Sequence, residues 1–228
     1  MEPCTRPRVK ICCIASAEEA RLAIAAGASA VGLVSAMPSG PGPIPEDAIA
    51  AIRRRVPPPV ATFLLTCAQD AAVIVDQLRR TGCNTVQLCD QFTSGGYEHL
   101  RAALPGLSVV QVIHVGGEES LDQALRVAPH VDAILLDSGR PMLAVKELGG
   151  TGRVHDWSVS ARIREASPVP VFLAGGLTPA NGRRAVAEVG PFGLDVCTGV
   201  RTNGRLDPQK LAAFMAAASA RSFPISSS

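Results

Sequence analysis

Aromatic residues are scarce in this chain: one Trp, one Tyr and six Phe make up 4% of 228 residues. Its core must therefore come from aliphatic side chains, which suits the close helix-on-sheet contacts of α/β folds. Charge of one sign is also lacking, since 22 Lys and Arg against 20 Asp and Glu leave a formal net charge of +2. Without a clustered basic face, neither nucleic acid nor a membrane surface is expected as a partner. The short runs Arg53-Arg54-Arg55 and Arg79-Arg80 read as solvated helix ends. No apolar run reaches the roughly 18 to 20 residues that span a bilayer, and the start MEPCTRPRVK lacks the apolar stretch of a secretory signal. The expectation is a soluble, cytoplasmic protein. The seven cysteines are an odd number without CxxC spacing, and the four histidines lack HExxH spacing. This pattern argues against a disulfide framework or a zinc site, and predicts reduced thiols with no metal.

What the chain does have is alternation. Short aliphatic runs at Val9–Ile14, Ala30–Ser35, Val60–Thr66, Thr85–Cys89, Ser108–Val115, Ala133–Asp137, Val171–Gly175 and Gly193–Thr198 read as strands. Segments of helical period follow each of them, beginning with Ser16–Ala26, where Ser16 and Glu19 form a capping-box pattern. The others are Pro45–Arg55, Ala68–Arg80, Tyr97–Leu104, Glu118–Val127, Trp157–Ala166, Pro179–Val189 and Pro208–Ala217. Eight even units without a GxGxxG turn after the first strand predict an α/β fold of the (β/α)8 TIM-barrel type, a parallel eight-stranded closed sheet rather than an open doubly wound one. One domain over residues 1–218 and a flexible tail over 219–228 account for the whole length. Two long connections, Ala36–Ile44 and Ser138–Asp156, fall at carboxyl ends of strands, where barrel enzymes place substrate contacts.

In such a barrel the polar strand ends converge. Gly175 and Gly176 after the seventh strand, with Thr198 and Gly199 after the eighth, offer backbone N–H groups that a phosphate can approach without a Cβ in the way; tight turns are the plainer reading. Asp137 ends the run AILLD, where partial desolvation raises a carboxyl pKa and suits it to donating a proton; capping the following loop is the alternative. Cys12, in KICC after Lys10, is either a base activated by an electropositive mouth or a small buried apolar residue. Asp195 completes the set, and His114 at the end of the fifth strand also faces this end. Trp157, just after Asp156, reads as packing between helix and barrel.

Several strings together resemble the phosphoribosylanthranilate isomerase family over Val9 to Phe214: KICCIAS, ILLDS, GGTGRVHDWS, FLAGGLTPAN and GLDVCTGVRTNGRLDPQKL. The family pattern reads KICGI, LLDS, GGTGxxFDW, LAGGLxPxN and GxDVSSGVE, in the same order. The resemblance implies an isomerase of tryptophan biosynthesis that performs an Amadori rearrangement on N-(5-phosphoribosyl)anthranilate, a small phosphosugar substrate, without a cofactor, as a monomer or homodimer. It implies Asp137 as general acid and Cys12 as general base, with Gly175, Gly176, Thr198 and Gly199 holding the phosphate and Asp195 near the substrate nitrogen.

The chain also departs from that pattern. Gly42 stands where the family carries the Arg that grips the anthranilate carboxylate, a contact worth roughly 1.5 to 3 kcal/mol. Arg140 and Arg201, with Lys146 and Arg153, are the cations available to replace it. Cys13 replaces the Gly of KICG, Cys89 the His of QLH and Arg201 the Glu of SGVE. Two other readings stay open at this point: an isomerase for a different phosphosugar, and a noncatalytic phosphosugar-binding barrel.

Overall fold

A computed structural model describes residues 6–139, 146, 148 and 154–219. Eight parallel strands close into a barrel: β1 (Arg8–Ile11), β2 (Ala30–Val34), β3 (Ala61–Thr66), β4 (Thr85–Leu88), β5 (Ser108–His114), β6 (Ala133–Asp137), β7 (Val171–Leu173) and β8 (Gly193–Val196). Closure is made by β1 beside β8, with Arg8, Val9, Lys10 and Ile11 registered on Gly193, Leu194, Asp195 and Val196. The helices are α1 (Ala17–Ala25), α2 (Glu46–Arg53), α3 (Ala71–Thr81), α4 (Ser94–Ala103), α5 (Glu119–Val127), α6 (Trp157–Ala166), α7 (Gly182–Val189) and α8 (Pro208–Ser219). The fold expected from alternation is therefore the fold observed. No helix among the described residues is long and apolar enough to cross a membrane.

Period two along each strand divides the core into two layers. Val9, Ile11, Leu64, Ile134 and Leu136 turn outward and join one buried cluster with helix residues such as Ile74 and Phe214. Ala30, Phe63, Val110, Leu135 and Phe172 turn inward and form a second cluster inside the barrel. Three Phe form a plug there: Phe172 meets Phe63 edge-on at 6.1 Å and Phe192 at 5.4 Å between centroids. Gly193 makes that plug possible, because a Cβ on it would lie 2.5 Å from the Phe172 ring. The same alternation carries Lys10, Cys12, Asp137 and Asp195 onto the inner face near the carboxyl ends.

Helix starts follow the expected chemistry with one change. Ser16 Oγ accepts from Glu19 N at 3.1 Å, but the Glu19 carboxylate reaches back to Ala15 N at 3.0 Å rather than to the capping serine. Asp70 and Asp156 cap α3 and α6 by accepting from Val73 N and Ser158 N. Trp157 packs in the outer layer as expected, with the Arg184 guanidinium 4.8 Å over its ring. β1 ends at Ile11, short of the predicted Ile14, because Cys13 turns to φ 61°. A small antiparallel hairpin, β9 (Arg201–Thr202) with β10 (Arg205–Leu206), follows β8 and was not expected. α8 runs to Ser219, one residue into the expected tail, and residues 220–228 lie outside the described ones.

Candidate active site

One concavity at the carboxyl ends of the strands is lined by Cys12, Asp137, Asp195, Gly175, Gly176 and Thr198 together. These are the residues singled out in the sequence, contributed by β1, β6, β7 and β8 and the turns that follow them. Gly199 is not among its lining residues. It serves the site from behind, since a Cβ there would lie 1.9 Å from the Leu177 carbonyl oxygen. The turn after β8 can dock against the turn after β7 only because residue 199 is glycine.

Lys10 organises the charge beneath the mouth. Its side chain is 0% exposed, its Nζ donates to Asp195 Oδ2 at 2.8 Å, and it lies 3.5 Å from Cys12 Sγ. Burial works against the ammonium, but Asp195 and the two neighbouring thiols more than compensate and hold Lys10 above the ordinary lysine value. Gly32 on β2 leaves the room this requires: a Cβ there would come within 2.9 Å of Cys12 Sγ and 3.1 Å of Lys10 Nζ. The Cys13 thiol, hydrogen-bonded to Cys12, together with the Lys10 cation, holds Cys12 below the usual thiol range despite its desolvation. Lys10 was not assigned a role from sequence. A lysine two residues before Cys12 in a strand of otherwise apolar residues was the signal, because period two puts both on one face.

Asp137 is governed by burial, which pushes its carboxyl above the usual carboxylate range against the opposing Ser138 N–H. That N–H donates to Asp137 Oδ1 at 2.7 Å. A thiol biased toward thiolate and a carboxyl biased toward its protonated form thus share one mouth. This is the pairing a proton-transfer reaction needs. Asp195 uses one oxygen for Lys10, while its buried Oδ1 has no partner among the described residues. Gly175 and Gly176 adopt φ 80° and 63°. The N–H groups of Gly175, Gly176 and Leu177 donate to no backbone acceptor among the described residues, while Asn181 braces the turn through Thr178 N and Gly176 O. Such free N–H groups on a glycine turn make an anion cradle.

The side of the mouth after β2 and β4 is different. Gly42 has φ 89°, and a Cβ on it would lie 2.6 Å from Cys13 Cβ. Cys13 and Gly42 are thus one coupled feature, in which the thiol fills the space a side chain at 42 would need. Cys89 is buried with its thiol pushed up by desolvation. His114 is turned to the Cys89 carbonyl, Nε2 to O 2.9 Å. Lys146 pairs with Asp90 at 2.5 Å, and its carbonyl accepts from Ser39 Oγ at 2.6 Å, which ties the loop after β2 to the loop after β6.

Three of the proposed cations do not enter this picture. Arg201 is a correction: its guanidinium is held by Glu19 at 2.9 Å and donates to the carbonyls of Cys12, Cys13 and Gly204, so it braces the turn after β1 from outside instead of facing a ligand. A buried Arg paired with a partly buried Glu and three carbonyls is committed to those partners. Arg140 and Arg153 lie outside the described residues. Among the described residues no group of His, Cys, Asp and Glu could hold a metal ion.

The family model for N-(5'-phosphoribosyl)anthranilate (PRA) isomerase matches residues 9–217. The N-(5'-phosphoribosyl)anthranilate isomerase of Halobacterium salinarum is 36% identical over 219 residues, 95% of this chain and 98% of the relative. Among solved structures, the phosphoribosyl anthranilate isomerase of Thermotoga maritima superposes with a TM-score of 0.80 at 29% identity, covering 93% of this chain and 98% of the other. A phosphoribosyl anthranilate isomerase in complex with reduced 1-(o-carboxyphenylamino)-1-deoxyribulose 5-phosphate gives a TM-score of 0.78 at 27% identity, covering 93% and 98%.

Proposed function

The chain belongs to the N-(5'-phosphoribosyl)anthranilate isomerase family, and from that premise we propose that Asp137 and Cys12 are the acid and base with which it performs the isomerisation of tryptophan biosynthesis. The observation that carries this assignment is the joint placement of a desolvated carboxyl and an electropositively held thiol in one mouth beside a cradle of free N–H groups. The 5-phosphate is received by the Gly175–Leu177 turn and by Thr198, with Gly199 keeping the two turns together. Anchored there, the ribose lies across the barrel axis. Asp137 gives its proton to the ring oxygen, the C1–O bond opens, and the substrate nitrogen's lone pair forms the iminium. Cys12 then takes the proton from C2, and the electron pair left behind quenches the iminium as an enolamine that tautomerises to the ketone. Asp195, with its free buried Oδ1, accepts the N–H of the substrate amine. Lys10, donating to Asp195 and lying beside Cys12, is a positioning residue for both and biases Cys12 toward thiolate.

A cytoplasmic location is part of the same reading, because a phosphate ester stays in the compartment where it is made. The test mixes purified protein with N-(5-phosphoribosyl)anthranilate and follows the loss of its fluorescence. Turnover supports the reading. Absence of turnover, with inorganic phosphate still raising the melting temperature, would replace it with a phosphosugar-binding barrel.

A further inference from the structure

Two thiols that the isomerisation does not use stand together at the mouth. Cys13 follows β1 and Cys197 follows β8, the strand pair that closes the barrel, and their sulfurs lie 2.6 Å apart. Both line the concavity, so a small solute entering the mouth meets them. Both also stand where the family pattern carries Gly and Ser, and Gly42 leaves the space that Cys13 occupies. The separation is too short for two ligands of one zinc ion, whose tetrahedral sulfurs stand about 3.8 Å apart at a metal–sulfur distance of about 2.3 Å. Cys83, by contrast, is buried in the outer core cluster, away from the mouth.

We propose that Cys13 and Cys197 are a site of reversible oxidative modification, a dithiol that hydrogen peroxide converts to a disulfide at the rim of the active site. Cys197, the more accessible of the two, attacks the peroxide. An S–O bond forms, the O–O bond breaks, and the thiol proton leaves in the first water. Cys13 then attacks the sulfenic sulfur; an S–S bond forms, the S–O bond breaks, and its proton leaves in the second water. Two thiols are oxidised by two electrons and one peroxide is reduced to two waters. Hydrogen bonds to Cys12 and Cys197, with burial, keep Cys13 protonated while Cys197 reacts, and Cys13 gives up that proton as it attacks the sulfenic sulfur.

The disulfide also reaches the chemistry. The Cys197 thiol donates to Cys13, and Cys13 in turn is hydrogen-bonded to Cys12. Oxidation deletes both donors, so Cys12 loses support for its thiolate and turnover slows, by about tenfold for each pKa unit by which Cys12 rises above the working pH. This consequence rests on the assignment of Cys12 as base; the covalent link does not.

The test is tryptic mapping without reductant. Trypsin releases Cys12 and Cys13 together in the peptide from Ile11 to Arg21, and Cys197 in the peptide from Ala185 to Arg201. In Cys12→Ser protein treated with hydrogen peroxide, these two peptides are expected to appear joined, which assigns the bond to Cys13, and dithiothreitol separates them. In wild-type protein the same treatment lowers turnover and dithiothreitol restores it. Recovery of Cys13 and Cys197 as separate alkylated or singly oxidised thiols in both proteins would overturn the proposal. A link without a change in turnover would overturn its effect on Cys12 and leave the assignment of the base intact.

Discussion

On the side of the mouth formed by β6, β7, β8 and β1, contacts are made by backbone and by fully buried charge: N–H groups on a left-handed glycine turn that have no backbone acceptor among the described residues, a glycine at 199 pressed against a carbonyl, and Lys10 locked between Asp195 and Cys12. On the side formed by the ends of β2 and β4, they are made by exchangeable side chains. There Cys13 fills the space above Gly42, Cys89 stands in place of an imidazole, and a 42% exposed Lys146 pairs with Asp90. The first arrangement keeps the family pattern at Lys10, Cys12, Asp137, Asp195 and Gly199, and departs from it at its rim, where Cys13 and Cys197 stand. The second can be altered in compensating pairs, and this chain has altered it.

That contrast can be broken most severely on the buried side. Cys12→Ala and Asp137→Asn are each expected to lower kcat about 10²- to 10⁴-fold, with KM little changed because the phosphate turn is untouched. Steady-state fluorescence kinetics measure both parameters. An unchanged kcat in either variant would remove that residue from the mechanism.

Lys10→Met comes next. It leaves Asp195 as an uncompensated buried carboxylate, and loss of one partner of such a pair costs about 3 to 5 kcal/mol of stability, read from denaturant unfolding. Because the folded-state pKa of Lys10 is raised, the pair's contribution is complete at neutral pH and fades only as strongly alkaline conditions deprotonate the lysine. The same substitution moves the Cys12 ionisation upward. A smaller loss is expected from Gly199→Ala, whose methyl group must push the two phosphate turns apart. KM should rise by about tenfold or more, equivalent to one charge-assisted hydrogen bond of about 1.5 to 3 kcal/mol. An unchanged KM would show that the turns can separate without loosening the phosphate.

On the altered side the effects shrink. Lys146→Met breaks the pair with Asp90, whose carboxylate is buried but whose lysine partner is 42% exposed, and solvent at the lysine end keeps the loss near about 1 kcal/mol. KM is expected to rise less than about tenfold with kcat unchanged. A larger effect would mean that Lys146 supplies the cation missing at position 42, and that the two sides of the mouth differ less in their dependence on charge.

The same division explains what could be read in the sequence. Eight strands, their order and the converging residues at 12, 137, 175, 176, 195 and 198 were legible because period two and the glycine turns leave a direct imprint on the chain. The close of β1 was not, since the left-handed turn at Cys13 has no glycine to announce it. Arg201 was misread as a ligand contact because its partner, Glu19, lies 182 positions away on α1. The contact of Cys13 with Cys197 was hidden for the same reason, as it exists only once β8 has closed on β1.

Proton abstraction from C2 depends on the buried side of the mouth biasing Cys12 toward thiolate. Ultraviolet thiolate absorbance, followed against pH as the difference between wild-type and Cys12→Ser protein, tests it without recourse to kinetics. The transition is predicted to fall clearly below about 8.5, the ordinary thiol value, and to move upward in Lys10→Met protein. A transition at or above that value in the wild type would contradict the claim.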